Sequence, residues 1–407
     1  MSDFDQGRSE RGFGDVILAT PVSAEPPAGP AYPVPEPDQE WILPNGFAHV
    51  FLGEGNEDVT RPVIIADGFS LGKSNLKWLH SGLDRDFPFL TELRSQGRDA
   101  ILVGYEERSA SMLDNAEAVM GAIVQANTLQ SGGAALTVGG FGMGGLVARY
   151  ALAKMEQQGF EHRAALYFSY DTPHRGAVVP IALQAFAHFA PWSNSPFARQ
   201  MNSPAARQML WRHYDPNTRK IDIAPERTRF LQALTQVGNW PSNPRKIAVA
   251  NGRGDGTGLQ IPPGMRALKI GRVYPDTTFY TQAQGEDITV AELRRWFPPS
   301  QRTIKTREFP ELDGAPGGTL RSYGIIADAL EKAGATTDLR HGSVCFVPSV
   351  SAVAIRDLDQ HKDLYANIYQ LDPEESEVDE FRCSSDTTTH TALTQELGSW
   401  LLNRLPC

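Results

Sequence analysis

Short apolar runs alternate with amphipathic stretches between residues 61 and 173. Four runs have the continuous apolar character of strands buried on both faces: RPVIIADGF at 61–69, AILVGY at 100–105, ALTVGG at 135–140 and RAALYFSYDTP at 163–173. Three stretches between them have helical spacing: FPFLTELRSQGRD at 87–99, MLDNAEAVMGAIVQANTL at 112–129 and LVARYALAKMEQQG at 146–159. The alternation predicts an α/β fold with a mostly parallel sheet and helices on both faces.

The rest of the chain has other patterns. Residues 1–40 are rich in proline and acidic residues, which predicts an extended arm, because proline interrupts helices and central strands. Amphipathic helical pieces fill the segment after the last of these strands, and β-like alternation with Gly/Pro turns follows a further strand at 245–252. This division gives an arm at 1–40, a core at 41–177, 241–262 and 341–407, a helical segment at 178–240 and a β-containing insertion at 263–340.

Composition excludes several function classes. The formal charge of −10 over 407 residues, without any Lys/Arg-rich run, argues against a nucleic-acid partner. No apolar stretch approaches the roughly 20 residues of a membrane span, and the polar N-terminus does not resemble a signal peptide, so we expect a cytoplasmic protein. Cys345, Cys383 and Cys407 form neither a metal pattern nor a disulfide framework. Pairing of Cys345 with Cys383 and free thiols both remain open.

The stretch LTVGGFGMGGLVARYAL, at 136–152, has two interpretations. Gly140, Gly142 and Gly145 spell G-x-G-x-x-G between a strand and a helix, a pattern typical of dinucleotide binding. Asp171 ends the next strand and could then bind a ribose. Against this interpretation, the turn follows the third strand rather than opening the fold, and a lone motif of this kind often occurs by chance.

With a serine at Gly142 the same letters give G-F-S-M-G-G, a nucleophile elbow. GGFGMGGLVARYAL is similar to the G-x-S-M-G-G-L-x-A-R-Y segment of lipase- and esterase-type α/β-hydrolases, and Gly140 and Gly144 take the places of its small flanking residues. DTPHRGA, at 171–177, resembles a segment that such lipases carry after the next strand. The resemblance implies an α/β-hydrolase fold in which residues 178–240 form a helical cap or lid. It covers about 61–177, 245–256 and 385–405.

The resemblance also implies a catalytic triad in the chain order nucleophile, acid, histidine. Gly142 holds the nucleophile position. Asp255 follows a late strand on a glycine-flanked loop, where the acid is expected, although it is also a typical turn aspartate; Asp171 is the rival acid. His390 lies in a polar loop before the last amphipathic helix and is favoured over His341 as the base.

An oxyanion hole in this family uses two backbone N–H groups, which the resemblance assigns to Phe69 and Met143. Asp67 stands where the family usually has histidine, which leaves the backbone donor of Phe69 possible. The same loop, DGFSLGKS, is close to a P-loop motif. Asp67 occupies the required glycine and would repel phosphate, so this interpretation is not favoured.

Gly142 has no side chain that could attack a carbonyl, so an acyl-enzyme cannot form on it. Three explanations remain open: an engineered inactivation, a natural loss that leaves a catalytically silent binding protein, and a natural change to non-hydrolytic acid–base chemistry by Asp255 and His390. We slightly favour a carboxylic-ester hydrolase that lacks its nucleophile. A dinucleotide-binding oxidoreductase is the less favoured alternative, and no cofactor or metal is expected.

Aromatic residues in VVPIALQAFAHFAPW, at 178–192, are candidates for the substrate pocket. Phe186, Phe189 and Trp192 would line an apolar pocket if this segment forms a cap, although a buried core helix has the same pattern. The pattern indicates a hydrophobic ester, lactone or thioester as the small-molecule substrate. The sequence does not indicate an oligomeric state.

Overall fold

A computed structural model of the chain describes residues 18, 34–189, 195–272, 274–296 and 298–406. The strands, in chain order, are β1 (Gln39–Leu43), β2 (Gly46–Phe51), β3 (Pro62–Ala66), β4 (Asp99–Tyr105), β5 (Leu136–Phe141), β6 (Ala164–Tyr170), β7 (His213–Tyr214), β8 (Ile221–Asp222), β9 (Arg245–Ala250), β10 (Arg266–Ile270), β11 (Thr277–Tyr280), β12 (Ile288–Arg295), β13 (Ser300–Thr306), β14 (Gly317–Leu320), β15 (Thr337–Leu339), β16 (Val344–Pro348) and β17 (Glu380–Cys383).

The helices range in length from 4 to 18 residues. They span Leu76–Leu83, Phe89–Ser95, Met112–Leu129, Met143–Gln157, Ile181–Phe189, Pro196–Asn202, Pro204–Met209, Pro225–Gln236, Ser322–Lys332, Ser349–Ala352, His361–Leu364 and Gln395–Leu402, with 3-10 turns at Ile368–Gln370 and Pro373–Glu375. None of the helices in the described part of the chain is both long and apolar enough to cross a membrane.

Eight strands form the central sheet, in the order β1-β2-β4-β3-β5-β6-β9-β17. The six strands from β4 to β17 in that order pair in parallel, whereas β1 and β2 are antiparallel additions at one edge. Alternate residues of β3 point to opposite faces, so that Ile64 and Val63 belong to two separate apolar clusters. Helices cover both clusters. The chain has the α/β-hydrolase fold, and the prediction of a mostly parallel, doubly covered sheet is confirmed.

A second sheet of five antiparallel strands, in the order β13-β12-β11-β10-β15, is built from residues 266–339. The helix Ile181–Phe189 packs on it, because Phe186 makes edge contacts with Phe279 and Tyr274 at ring-centroid distances of 5.2 and 5.4 Å. The first helix after β6 therefore packs against this insertion.

The sequence boundary at residue 341 does not coincide with a structural one. β14 and β16 pair with each other as a separate two-stranded sheet on either side of it, whereas β17 pairs with β9 and the helix Gln395–Leu402 packs on the central sheet. Cys345 and Cys383 are both buried and free, so they do not form the disulfide that the sequence left open. Burial raises the pKa of each thiol.

Candidate active site

Gly142 lies in a tight turn between β5 and the helix Met143–Gln157, with φ 55° and ψ −120°. Residues with a side chain rarely adopt this backbone conformation, and glycine does so without steric cost. The helix approaches the sheet closely behind the turn. A Cβ atom on Gly144 would lie 2.3 Å from the carbonyl oxygen of Ala66, which leaves room only for glycine. Gly142 and Gly144 therefore lie in a sharp strand-to-helix turn, as the sequence predicts.

The open face of Gly142 points at an imidazole. A Cβ atom placed on Gly142 would lie 3.0 Å from Nε2 and 3.4 Å from Cε1 of His390, and 3.6 Å from Cγ2 of Thr391. These positions are about 250 residues apart in the chain, and the fold brings them into direct contact. A hydroxyl carried by residue 142 would lie within reach of Nε2.

His390 is buried in the loop that leads to the last helix. Its Nδ1 lies 2.6 Å from Oδ2 of Asp171, and its backbone N–H donates to the carbonyl of Thr319 at 2.8 Å. The ring of Phe346 packs against the imidazole with a centroid distance of 4.8 Å. One ring nitrogen therefore contacts a carboxylate while the other faces Gly142, the arrangement in which a histidine acts as an oriented base.

Asp171 follows β6 directly and is fully buried. Its φ of 47° turns the chain away from the sheet, and its backbone N–H donates to the carbonyl of Val249 at 2.7 Å. Oδ1 accepts a hydrogen bond from the backbone N–H of Asn251 at 2.9 Å, while Oδ2 faces His390. A Cβ atom on Gly318 would lie 2.0 Å from Oδ2, so the strand beside the carboxylate must carry glycine there. Each carboxylate oxygen therefore has one polar partner, Asn251 for Oδ1 and His390 for Oδ2.

Asp255, the expected acid, is not beside His390. It lies on the partly exposed loop after β9, in an ion pair with Arg253, and its Oδ1 accepts from the backbone N–H of Thr257 at 2.9 Å. The hydrogen bond from Arg253 lowers the pKa of Asp255. The prediction of an Asp255–His390 pair is wrong, because Asp255 is a turn aspartate and the rival acid takes its place. His341 lies elsewhere, next to β10, where its N–H donates to Ala267.

The two predicted oxyanion donors share one pocket with Gly142 and His390. Phe69 lies in the loop after β3, and Met143 is the first residue of its helix, where a backbone N–H has no partner within the helix. Asp67 holds the loop in place, because its carboxylate accepts hydrogen bonds from the backbone N–H of Gly68 and from Oγ of Ser74, both at 2.7 Å. Asp67 therefore has hydrogen-bond partners within its own loop.

The pocket above Gly142 contains about 550 Å³ of space free of protein atoms, part of which is open to solvent. Its walls are apolar except near His390 and Thr391. One wall consists of Met201, Ala206, Met209 and Leu210 from the helical segment between β6 and β9. The sheet strands β14 and β16 contribute Leu320 and Phe346 to the opposite wall. An apolar group is what this pocket would take up most favourably.

The aromatic residues predicted to line the pocket are not part of its wall. Phe186 packs on the antiparallel sheet, and Phe189 lies next to the guanidinium groups of Arg295 and Arg302. Both side chains are buried in the interface between the helix and that sheet. This prediction is wrong for Phe186 and Phe189, because their apolar face meets the insertion. Trp192 lies outside the described residues.

The dinucleotide interpretation finds no support in the same geometry. A Cβ atom on Gly145 would lie 2.0 Å from Oγ1 of Thr172, so this glycine allows the helix to pack against the chain after β6. Asp171, the acid that a ribose would need, is fully buried and paired with His390. Within the described ranges, no cluster of three His, Cys, Asp or Glu residues has the arrangement of a metal site.

Comparisons with known proteins give weak structural likenesses only. No protein-family model matches the chain, and no curated protein sequence matches it. A lipase from Bacillus licheniformis in mature form is 14% identical, with 50% of this chain and 71% of that chain covered and a TM-score of 0.34. An esterase from Pyrobaculum calidifontis is 13% identical, with 60% and 73% covered and a TM-score of 0.32. A serine-to-alanine mutant of LAE6, an α/β-hydrolase enzyme from the metagenome of Lake Arreo, Spain, is 14% identical, with 60% and 68% covered and a TM-score of 0.33.

Proposed function

We propose that this α/β-hydrolase-fold chain carries the site of a lipase- or esterase-type carboxylic-ester hydrolase in which Gly142 occupies the place of the nucleophile. The observation that carries the proposal is the line formed by Gly142, His390 and Asp171. A Cβ atom at residue 142 would lie 3.0 Å from Nε2 of His390, and Nδ1 of the same ring lies 2.6 Å from Asp171. A substrate with an apolar acyl group, as an ester, a lactone or a thioester, suits the pocket.

The roles follow from the positions of the residues. With a serine at residue 142, Nε2 of His390 would take the hydroxyl proton as Oγ attacks the carbonyl carbon, and Asp171 would hold Nδ1–H and stabilise the imidazolium. The backbone N–H groups of Phe69 and Met143 would donate to the oxyanion. The ring would then return the proton to the leaving oxygen, and water would release the acid by the same steps.

As the chain stands, glycine prevents the covalent step. Loss of a triad serine in other hydrolases lowers turnover by about a millionfold, or roughly 8 kcal/mol of activation free energy. We expect the parent chain to bind apolar esters and to turn them over extremely slowly. The experiment is hydrolysis of p-nitrophenyl butyrate and decanoate by the parent and by Gly142→Ser.

Two further variants make this experiment decisive. Gly142→Ala adds the Cβ atom without a hydroxyl and should stay inactive, and His390→Ala in the Gly142→Ser background should abolish the gain. Activity of Gly142→Ser alone would support a hydrolase site. If Gly142→Ser hydrolyses no ester although it is folded, the ester-hydrolase proposal is wrong.

A second candidate function is acid–base chemistry without a covalent intermediate. Its support is that Asp171 and His390 are paired and buried although Gly142 cannot use them as a triad. His390 would then move a proton on a bound carbonyl compound while Phe69 and Met143 stabilise an enolate or alkoxide. This candidate predicts exchange of the α-hydrogens of a bound thioester with deuterated water by the parent chain, and loss of the exchange in His390→Ala.

A further inference from the structure

One residue of the N-terminal arm lies at the candidate active site. Leu18 is buried, with 5% of its surface exposed, although it belongs to a proline-rich segment that precedes the fold. It lines the same pocket as Gly142, Met143 and His390. A side chain from outside the central fold therefore occupies part of the space next to the predicted reacting atoms.

Gln200 fixes the backbone of Leu18 at this place. The N–H of Leu18 donates to Oε1 of Gln200 at 2.8 Å, and Nε2 of Gln200 donates to the carbonyl of Leu18 at 2.9 Å. The side-chain amide thus pairs with both backbone groups of one residue, as a neighbouring strand would. Gln200 is itself completely buried on the helix Pro196–Asn202, and the next residue, Met201, is part of the pocket wall.

The side chain of Leu18 lies in a mainly apolar pocket. Met209, Leu210 and Phe346 are among its walls, so an acyl chain would compete with the isobutyl group of Leu18 for apolar space. A buried polar side chain such as Gln200 needs hydrogen-bond partners, and Leu18 supplies both. Leu18 and Gln200 form a fixed pair at the pocket, because the side-chain amide of one and the backbone N–H and carbonyl of the other satisfy each other's hydrogen-bonding groups.

We infer that Leu18, positioned by Gln200, is a specificity-determining residue that limits the length of the acyl group this pocket accepts. The inference rests on the proposed function, since it assigns the acyl end of an ester to the pocket above Gly142. Truncation of Leu18 should lengthen the pocket, and enlargement should shorten it. Loss of the hydrogen bonds between the Gln200 side chain and the backbone of Leu18 should also lengthen the pocket, as truncation of Leu18 should.

The first experiment uses the Gly142→Ser background and the ratio of kcat/KM for p-nitrophenyl decanoate to that for butyrate. Leu18→Ala should raise the ratio by about tenfold and Leu18→Phe should lower it by about tenfold, the lower end of the range for one methylene group in an apolar pocket. Gln200→Glu keeps the size but loses the amide donor, and should raise the ratio. The matched control is Leu231→Ala, since Leu231 is 38% exposed on another helix. An unchanged ratio in an active Gly142→Ser background would refute the inference and leave the ester-hydrolase proposal intact.

The second experiment does not depend on catalysis. Calorimetric titration of the Gly142 parent with decanoic acid and with butyric acid should show about tenfold tighter decanoate binding in Leu18→Ala and weaker binding in Leu18→Phe. Leu231→Ala should match the parent. If Gly142→Ser is inactive, this titration still decides the role of Leu18, and equal decanoate affinities in all of these proteins would overturn it.

Discussion

Oδ2 of Asp171 lies 2.6 Å from Nδ1 of His390, across 219 residues of sequence. The sheet order places Asp171 beside Gly142, because β6, which ends before Asp171, lies directly beside β5, which ends before Gly142. The loop with His390 crosses both strand ends. Asp171, His390 and the turn at Gly142 therefore meet at the carboxyl edge of neighbouring parallel strands, where α/β folds usually bind their ligands.

The assignment of the acid gives a direct prediction. In the Gly142→Ser background, Asp171→Asn should lower kcat by about 10⁴-fold, because the amide no longer holds the imidazole in the tautomer that accepts a proton. Asp255→Asn should leave kcat unchanged, since Asp255 pairs with Arg253. Steady-state kinetics of the two variants, with circular dichroism to verify folding, is the measurement. Equal activity losses would contradict the assignment of Asp171.

A second prediction concerns the strain of the elbow. Gly142 has φ 55° and ψ −120°, and a Cβ atom would approach His390 to 3.0 Å. Gly142→Ala and Gly142→Ser should each lower the free energy of unfolding by about 1–3 kcal/mol, because a side chain is strained in this conformation. Urea unfolding measures the change. Gly133→Ala is the control: Gly133 is exposed with open space around it, and its change should stay within about 0.5 kcal/mol.

Much of the fold could be predicted from the pattern of apolar residues. Strands buried on both faces must be continuously apolar, so the runs at 61–69 and 100–105 indicate β3 and β4 with small errors at their ends. The helix at 112–129 has the predicted bounds. Strict periodicity over 18 residues leaves little freedom for another assignment.

The acid could not be chosen from the sequence in the same way. Asp171 and Asp255 both follow strands, and the choice depends on which strand ends next to the loop of His390. That is a property of sheet order and not of local pattern. The position of Asp171 within DTPHRGA, directly after a strand that follows the elbow, was the only signal available.

Local sequence patterns also could not predict which residues line the pocket. An apolar helical face, such as that of Ile181–Phe189, shows that a helix is buried but does not show which partner covers it. Phe186 meets the antiparallel sheet of the insertion instead of the pocket. Leu18 lies in a segment whose composition predicts an extended arm, so nothing in its neighbourhood indicates a contact with Gln200.

A third prediction concerns Asn251 as a positioning residue. Its side-chain amide donates to Oγ1 of Thr388 at 2.7 Å and to the carbonyl of Ala392 at 2.8 Å, on either side of His390, while its backbone N–H donates to Asp171. Asn251→Ala should therefore release the loop and lower kcat of the Gly142→Ser variant by about 10- to 100-fold, because small displacements of a catalytic group are costly.

The effect of Asn251 should be separable from a loss of binding. KM should change much less than kcat, since Asn251 does not line the pocket. Asn251→Asp keeps the size of the side chain but loses the amide donor, and it should likewise lower kcat with little change in KM. Asn217→Ala is the control, because Asn217 is exposed and distant in sequence from the site. A rise in KM with unchanged kcat would contradict the positioning role.

A fourth prediction uses the carboxyl group of Asp313, which is buried between the antiparallel sheet and the helical segment. Burial raises its pKa from 3.8 to about 6, although the backbone N–H of Gln282 donates to Oδ2 at 2.9 Å. Between these two pH values the folded chain keeps a proton that the unfolded chain has lost. The stability contribution of Asp313 is therefore complete below pH 3.8 and is lost as the pH rises to 6, by about 3 kcal/mol.

Asp313→Asn should remove this pH dependence. The amide is neutral in both states and can still accept from Gln282, so the variant should gain stability relative to the parent as the pH rises from 4 to 7. The expected gain is about 2.5 kcal/mol, measured by urea unfolding at the two pH values. Asp222→Asn, at an exposed position, should show no such gain. A difference between parent and Asp313→Asn that is the same at pH 4 and pH 7 would mean that Asp313 titrates alike in the folded and unfolded chains.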